Sequence, residues 1–332
     1  MSDRFNNKKL LFLLSGLVVL LLLTILVKSP RQEATLKSHI VEMDTAAITK
    51  VVLFPRANRN NPVEFTKKDG QWMVQQGDVV AKAEQGAVRG MLGNAVNIKP
   101  ESLAASDKSK WEEYELTDSL GTRVKFYNQK NKLLADLMIG KVNFKQAANP
   151  YGGYYGGNNI QGTSYVRLTN DKEVYAVDGF LAFSFNGSFD DWRDKSFIAT
   201  DKENITTIRF TLPADSSYTL TKEGNRWLIA GMEADSASVA GFINSLVQMN
   251  GERFKDHYIP VLSPGYQMTV EGNNLLNYTV KCYKGEGSEE YILNSSLNPD
   301  VYFLSERNGL FDRLFKSQNY FLKDKRKKIK VS

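Results

Sequence analysis

The chain has 332 residues, 42% of them hydrophobic and 24% charged, values ordinary for a globular protein of about two domains. The net charge of +6 sits at the ends: Lys323–Lys330 carries six positive charges against one negative, so the body is close to neutral and a basic nucleic-acid-binding face is not indicated. One cysteine, Cys282, rules out an internal disulfide, and the two histidines, His39 and His257, lie too far apart in sequence for metal-ligand spacing.

Residues 1–9 form a short basic head with Arg4, Lys8 and Lys9. Leu10–Val27 follows, reading LLFLLSGLVVLLLLTILV without a charge. At 1.5 Å per residue an eighteen-residue helix reaches about 27 Å, near the thickness of a hydrocarbon core. The expectation is one transmembrane helix over 10–27, with Leu10, Leu14, Leu20, Leu23 and Val27 as its anchor. No small-residue cleavage pattern follows, as a signal peptide would require, and no lipobox cysteine is present. A basic head before a first span normally stays cytoplasmic, which puts the body outside. Residues 28–44 read as a polar stalk.

The body reads as two copies of one unit, 45–198 and 199–325, followed by a basic tail at 326–332. Each copy opens on a β-rich run, Ile48–Pro55 and Ile205–Pro213. A hairpin follows in each. The first turns at Asp69-Gly70 and returns through Trp72-Met73-Val74; the second turns at Glu223-Gly224-Asn225 and returns through Trp227-Leu228-Ile229. Both tryptophans are expected in the core. Next, Val88, Met91, Leu92, Ala95 and Val96 fall at helical spacing, and so do Val239, Phe242, Ile243, Leu246 and Val247, each 151 positions later. Asp235, Ser236 or Ser238 can cap the second helix.

Further along, Tyr114–Thr117 matches Tyr266–Thr269, Val124–Tyr127 matches Val280–Tyr283, Leu137–Ile139 matches Tyr291–Leu293, and Tyr165–Leu168 matches Val301–Leu304. On this alignment the first copy holds about eighteen extra residues within Lys141–Thr163. That insertion, 141–163, contains Pro150-Tyr151-Gly152-Gly153-Tyr154-Tyr155-Gly156-Gly157-Asn158-Asn159. No Lys-Ser/Thr and no helix start follow the glycines, which argues against a phosphate cradle. The composition fits either a hairpin tip or an adaptable contact surface made by Tyr151, Tyr154, Tyr155, Asn158 and Asn159. The first copy closes on Asp190-Asp191-Trp192-Arg193-Asp194-Lys195 and the second on Leu322-Lys323-Asp324-Lys325. Trp192 is a further candidate contact residue, and the junction is expected near Phe197–Asn204. The fold class expected is α+β: a transmembrane helix, then two tandem duplicated domains, each an antiparallel sheet with packed helices.

The Trp-bearing hairpin, Tyr114-Glu115-Leu116-Thr117-Asp118, Ile139-Gly140-Lys141, Tyr165-Val166-Arg167, Val174-Tyr175-Ala176-Val177 and Trp192-Arg193-Asp194-Lys195 together resemble the domain-of-unknown-function family 4340, over roughly residues 45–325. The resemblance implies a bacterial, single-span, periplasmic protein of the inner membrane. It also implies an accessory role beside an ABC-2-type transporter permease and its gliding-motility-type extracytoplasmic subunit. The tyrosine–glycine insertion departs from the usual pattern. The family carries no catalytic residues to transfer.

Of the carboxylate pairs, Glu112-Glu113, Asp190-Asp191 and Glu289-Glu290, none makes a glycosidase pair by adjacency, because neighbours on a strand point to opposite faces. No catalytic residue, metal or cofactor is assigned. The function expected is a non-enzymatic accessory or scaffold protein that binds envelope proteins and inner-membrane lipid, with no nucleic acid. The alternatives are a periplasmic lipid- or glycan-binding module and, third, a hydrolase. A binding module predicts a deep apolar or aromatic-lined cavity between the lobes; a scaffold predicts a filled interface and an exposed apolar patch.

Overall fold

The computed structural model describes residues 14–18, 38–56, 60–146, 160–287 and 289–322. The first unit contains β1 (Ile48–Phe54), β2 (Val63–Lys68), β3 (Gln71–Gln76), β4 (Val79–Lys82), α1 (Gln85–Val96), β5 (Pro100–Ala105), β6 (Thr122–Asn128), β7 (Leu133–Gln146), β8 (Ile160–Leu168), β9 (Val174–Asp178) and α2 (Leu181–Phe185). The second contains β10 (Ser196–Ala199), β11 (Ile205–Thr211), β12 (Tyr218–Glu223), β13 (Arg226–Ile229), β14 (Met232–Glu233), α3 (Ser236–Leu246), β15 (Gln248–Asn250), β16 (Arg253–Phe254), β17 (Tyr266–Gly272), β18 (Tyr278–Lys284), β19 (Tyr291–Ser295), β20 (Asn298–Ser305), α4 (Leu310–Leu314) and α5 (Gln318–Phe321).

Each unit builds a nine-stranded sheet, in the orders β4-β3-β2-β1-β6-β7-β8-β9-β5 and β14-β13-β12-β11-β17-β18-β19-β20-β16. Position for position the two orders are the same, and every pairing is antiparallel. Even the irregularity that separates Ile48 from Lys50 on β1 recurs between Ile205 and Thr207 on β11. Antiparallel neighbours need only short connections, and Asp69-Gly70 supplies one: both residues have positive φ, as a two-residue hairpin turn demands.

The helices cover one face of each sheet. Glu84 and Asp235 cap α1 and α3, each accepting from the amides two and three residues on. The stripe Val88, Met91, Leu92, Ala95 is buried against Ile48, Val51, Leu53, Phe65 and Trp72. The matching stripe Val239, Phe242, Ile243, Leu246 packs on Ile205, Ile208, Phe210 and Leu220. Val96 and Val247, the last position of each stripe, are not in the cores. Trp72 is buried as expected, whereas Trp227 is half-buried at the edge of the second core.

Several expectations are corrected. Strand dominates: among the described residues twenty strands stand against two helices longer than five residues. The α+β expectation therefore gives way to a mostly antiparallel β fold. The reason is local. Each unit has one apolar stripe of helical period, and the remaining apolar runs alternate, which a strand satisfies and a helix does not. The transmembrane helix expected over 10–27 finds no support, and most of that stretch lies outside the described residues. No helix among the described residues is long and apolar enough to cross a membrane, which takes about 20 residues. Of 10–27 only Leu14–Val18 is described, as a helical turn with exposed side chains. The head and the tail lie outside the described residues.

Strand pairing also moves the internal alignment by one strand. Leu53 pairs with Val124 and Phe210 with Met268, so β6 matches β17. Leu137 pairs with Val124 and Val280 with Met268, so β7 matches β18. Tyr114–Thr117 is not a strand at all. The spacing between equivalent residues falls from 143 at Leu137/Val280 to 127 at Val166/Leu293, which puts sixteen extra residues in the first unit between Leu137 and Val166, the lengthened ends of β7 and β8 included. The insertion thus keeps its place while its length changes.

The unit boundaries shift too. Ile40 and Val41, inside the stretch read as stalk, are buried in the first core. Phe197 and Ile198 are their counterparts in the second core, so the second unit begins at about Ser196. At the junction Arg193, only 3% exposed, reaches from the first unit to Asp256 of the second with Nη2 and Nη1 bonds of 2.6 and 2.9 Å. Its guanidinium lies 3.5 Å from the Phe254 ring, and Asp190 accepts a third bond at 3.1 Å.

Candidate docking surface

Strands β7 and β8 form the long hairpin that carries the insertion, and they stay paired out to Gln146 and Ile160. Phe144 and Ile160 stand exposed near the end of the paired region. The segment after β9 folds back beside them. Buried Ser164 donates to the Gly179 carbonyl at 2.7 Å and accepts from the Leu181 amide at 2.9 Å, which pins that segment to β8. Gly162 makes room for Phe180, whose ring occupies the space that a Cβ at 162 would need. Phe180 in turn lies 5.6 Å from Phe144 and 6.1 Å from Phe183, so the three rings form a strip.

Helix α2 sets the direction of Phe183. Leu181 and Phe185, four apart, share the inward side and are buried, which leaves Phe183 on the other side, 70% exposed. Asn94 of α1 donates to Ser184 at 3.0 Å and holds the two helices together. Beside Phe183 runs a groove of about 310 Å³ floored by Met91, Gly187 and Trp192.

The second unit supplies an internal control. There α4 is built on Leu310 and Leu314, buried like Leu181 and Phe185, and the position of Phe183 is taken by Asp312. Gly309 stands where the first unit has Phe180. The fold is therefore satisfied by a carboxylate and a glycine where the first unit displays two aromatic rings.

Of the residues singled out in the sequence, Tyr151, Tyr154, Tyr155, Asn158 and Asn159 lie outside the described residues, as do Leu10, Leu20, Leu23 and Val27. Leu14 is exposed. Trp192 is not a surface contact: it is buried edge-on against Phe65 at 5.2 Å, and its Nε1 donates to the Gly187 carbonyl at 3.2 Å. The cause is a β-bridge between Ala83 and Arg193, which lays residue 192 over the core; Ala234 and Leu322 form the same bridge and bury Phe321. Phe144, Phe180 and Phe183 were missed. Their signal was present in the run Phe180–Phe185, where the four-residue spacing of Leu181 and Phe185 already leaves Phe183 unmatched.

The motifs that carried the resemblance meet on the outer face of the first sheet. Leu116 is fully buried there with Met138 and Val174. Arg167 donates through Nε to the Leu116 carbonyl at 3.1 Å and through Nη1 to Leu168 and Thr169, with its guanidinium 3.5 Å from the Trp111 ring. Burial lowers the Arg167 pKa, yet a guanidinium stays charged. The Lys141 ammonium sits over both Tyr114 and Tyr165, at 5.2 and 5.8 Å. At Gly140 a Cβ would overlap the Tyr114 carbonyl oxygen, so the close approach of these two segments needs a glycine. These residues fasten the connection 106–121 to the sheet.

The acidic pairs do structural work as well. Asp191 caps the turn at Ser188, and its hydrogen bonds from Ser188, ahead of the burial that opposes them, hold its carboxyl below the usual range. Asp190 joins Arg193, and Glu113 bonds Lys110 at 2.9 Å. Cys282 is buried in the second core, and burial pushes its thiol pKa up. Among the described residues no three His, Cys, Asp or Glu side chains are grouped to hold a metal ion. Between the units a groove of about 490 Å³ has a mixed lining, with Asp78, Lys82, Asp256 and Asp300 beside Met73, Val79, Val80 and Val301.

No curated protein and no solved structure matches the chain. The family described as a domain of unknown function, DUF4340, matches over residues 72–260, from Trp72 on β3, across the junction, to the connection after β16. That span is more than half of the 332 residues, and the chain belongs to this family.

Proposed function

We propose that this chain is an accessory or scaffold protein of the bacterial cell envelope that binds other envelope proteins through the strip Phe144–Phe180–Phe183. The observation that carries the reading is Phe183, a ring 70% exposed where the other unit has an aspartate. A ring held in water contributes little to folding, and adjoining apolar residues rimmed by polar ones mark interaction sites.

The partner class comes from the resemblance: an ABC-2-type permease and its extracytoplasmic subunit. A site of action in the periplasm, at the inner membrane, belongs to the same proposal. Intact tagged protein is recovered from envelope membranes in mild detergent, and co-purifying proteins are quantified by mass spectrometry. Phe183→Asp is expected to lower recovery of the permease and its subunit about tenfold, the ~1.4 kcal/mol of one good aromatic contact. Its melting temperature should stay within a few degrees of wild type, since surface changes of this kind cost under about 0.5 kcal/mol. Equal recovery with the variant, or neither protein recovered with wild type, refutes the proposal.

A further inference from the structure

A second surface, distinct from the aromatic strip, follows from comparing the outer faces of the two sheets. In the first unit the connection from β5 to β6, residues 106–121, covers that face with Trp111, Tyr114 and Leu116. In the second unit the equivalent connection, from β16 to β17, is 255–265, eleven residues against sixteen. Strand pairing places Tyr283 where the first unit has Gly140, Ile292 where it has Tyr165, and Tyr302 where it has Val174. The shorter connection lays down one ring, Tyr258, at 5.8 Å from Tyr283 and 5.1 Å from Tyr302.

The residues that follow do not reach the sheet. Ile259, Val261 and Leu262 are 77%, 86% and 78% exposed. Between them and the sheet lies a groove of about 360 Å³, walled by Val261, Leu262, Tyr258, Tyr283 and Ile292. Three aliphatic side chains in water within four residues, over an apolar groove, are an incomplete cover. Burial pushes the Tyr258 and Tyr283 hydroxyls above the ordinary tyrosine value, so the floor is neutral at every physiological pH.

We propose that this face of the second unit docks a segment of a partner protein that lays an aromatic side chain over Ile292, as Tyr114 stands against Tyr165 in the first unit, the place of Leu116 being taken by Tyr258. Such a segment completes the cover that the five missing residues leave open. The occupant is argued from the molecule itself, because the same place in the first unit is filled by a stretch of polypeptide with that chemistry. The rim carries Lys255 and Lys284 together with Glu286, mixed signs that do not favour an anionic bilayer.

The test is selection of a displayed random-peptide library on the intact protein, with the Leu262→Asp variant as counter-target. Leu262 is exposed, so the variant should melt with wild type, which is checked first. Enriched peptides are expected to share an aromatic residue. Their binding should weaken at least tenfold in Leu262→Asp and be unchanged in Phe183→Asp, which separates this surface from the strip. No enrichment over the variant, or enrichment of peptides chosen by charge alone, overturns the proposal. Sedimentation with phosphatidylethanolamine/phosphatidylglycerol vesicles that the same variant abolishes overturns it in favour of a bilayer.

Discussion

Replacing Arg193 by alanine tests whether the two units are held as one body by a single buried cation. The side chain makes two bonds to Asp256 and one to Asp190, and stacks on Phe254. Charge-assisted bonds of this kind are worth about 1.5–3 kcal/mol, and stacking of a desolvated guanidinium adds roughly 0.5–2. Breaking a fully buried pair costs about 3–5 kcal/mol, but Asp256 is about a third exposed and regains water, which lowers the figure. The expected loss is about 3 kcal/mol, with a coupling of about 1.5–3 kcal/mol in a cycle of Arg193→Ala and Asp256→Ala.

Urea unfolding reads the effect through two probes. Trp72, Trp111 and Trp192 report the first unit and Trp227 the second, whereas circular dichroism follows both sheets. In Arg193→Ala the fluorescence and dichroism transitions should separate as the units lose their tie. Coupling below about 0.5 kcal/mol together with coincident transitions would show that the junction does not depend on this residue.

Gly140→Ala should destabilise the protein by about 1–3 kcal/mol, because the Tyr114 carbonyl has to move and the cover at Leu116 moves with it; a change under about 0.5 kcal/mol in urea unfolding refutes the close approach. Asp136 makes a pH prediction. Burial raises its pKa, but the bonds from Arg123 and Thr169 and the Arg123 charge outweigh burial and hold it below the usual carboxylate range. A depressed carboxylate contributes stability that is present above the unfolded pKa and lost as pH falls through the folded one. Unfolding free energies of wild type and Asp136→Asn should therefore differ most above about pH 4 and converge below it. A gap that stays constant or widens on acidification contradicts the assignment.

How far the sequence reaches is clearest in the two helices. The stripes beginning at Val88 and Val239 have period 3.6, which only a helix satisfies, and Asp235 caps the second as the sequence allows, whereas the Glu84 cap of the first was found only in the structure. The strands were harder. Alternation has period two, so a short run fits its neighbour's place as well as its own, and the alignment slipped from β17 to β18 without any local warning. Hydrogen-bonded partners such as Leu53 with Val124 and Phe210 with Met268 removed the ambiguity.

Trp192 shows a second limit. In Asp190-Asp191-Trp192-Arg193 the ring is flanked by charges and reads as surface. Its burial comes from a bridge to Ala83, more than a hundred residues earlier. The duplication, the place of the insertion and the near-neutral body were thus written in the chain, because they depend on composition and on local periodicity. That Trp192 is buried rather than displayed was decided by the tertiary fold alone. Its exposure is fixed by the segment that packs across it, and that segment is distant in sequence.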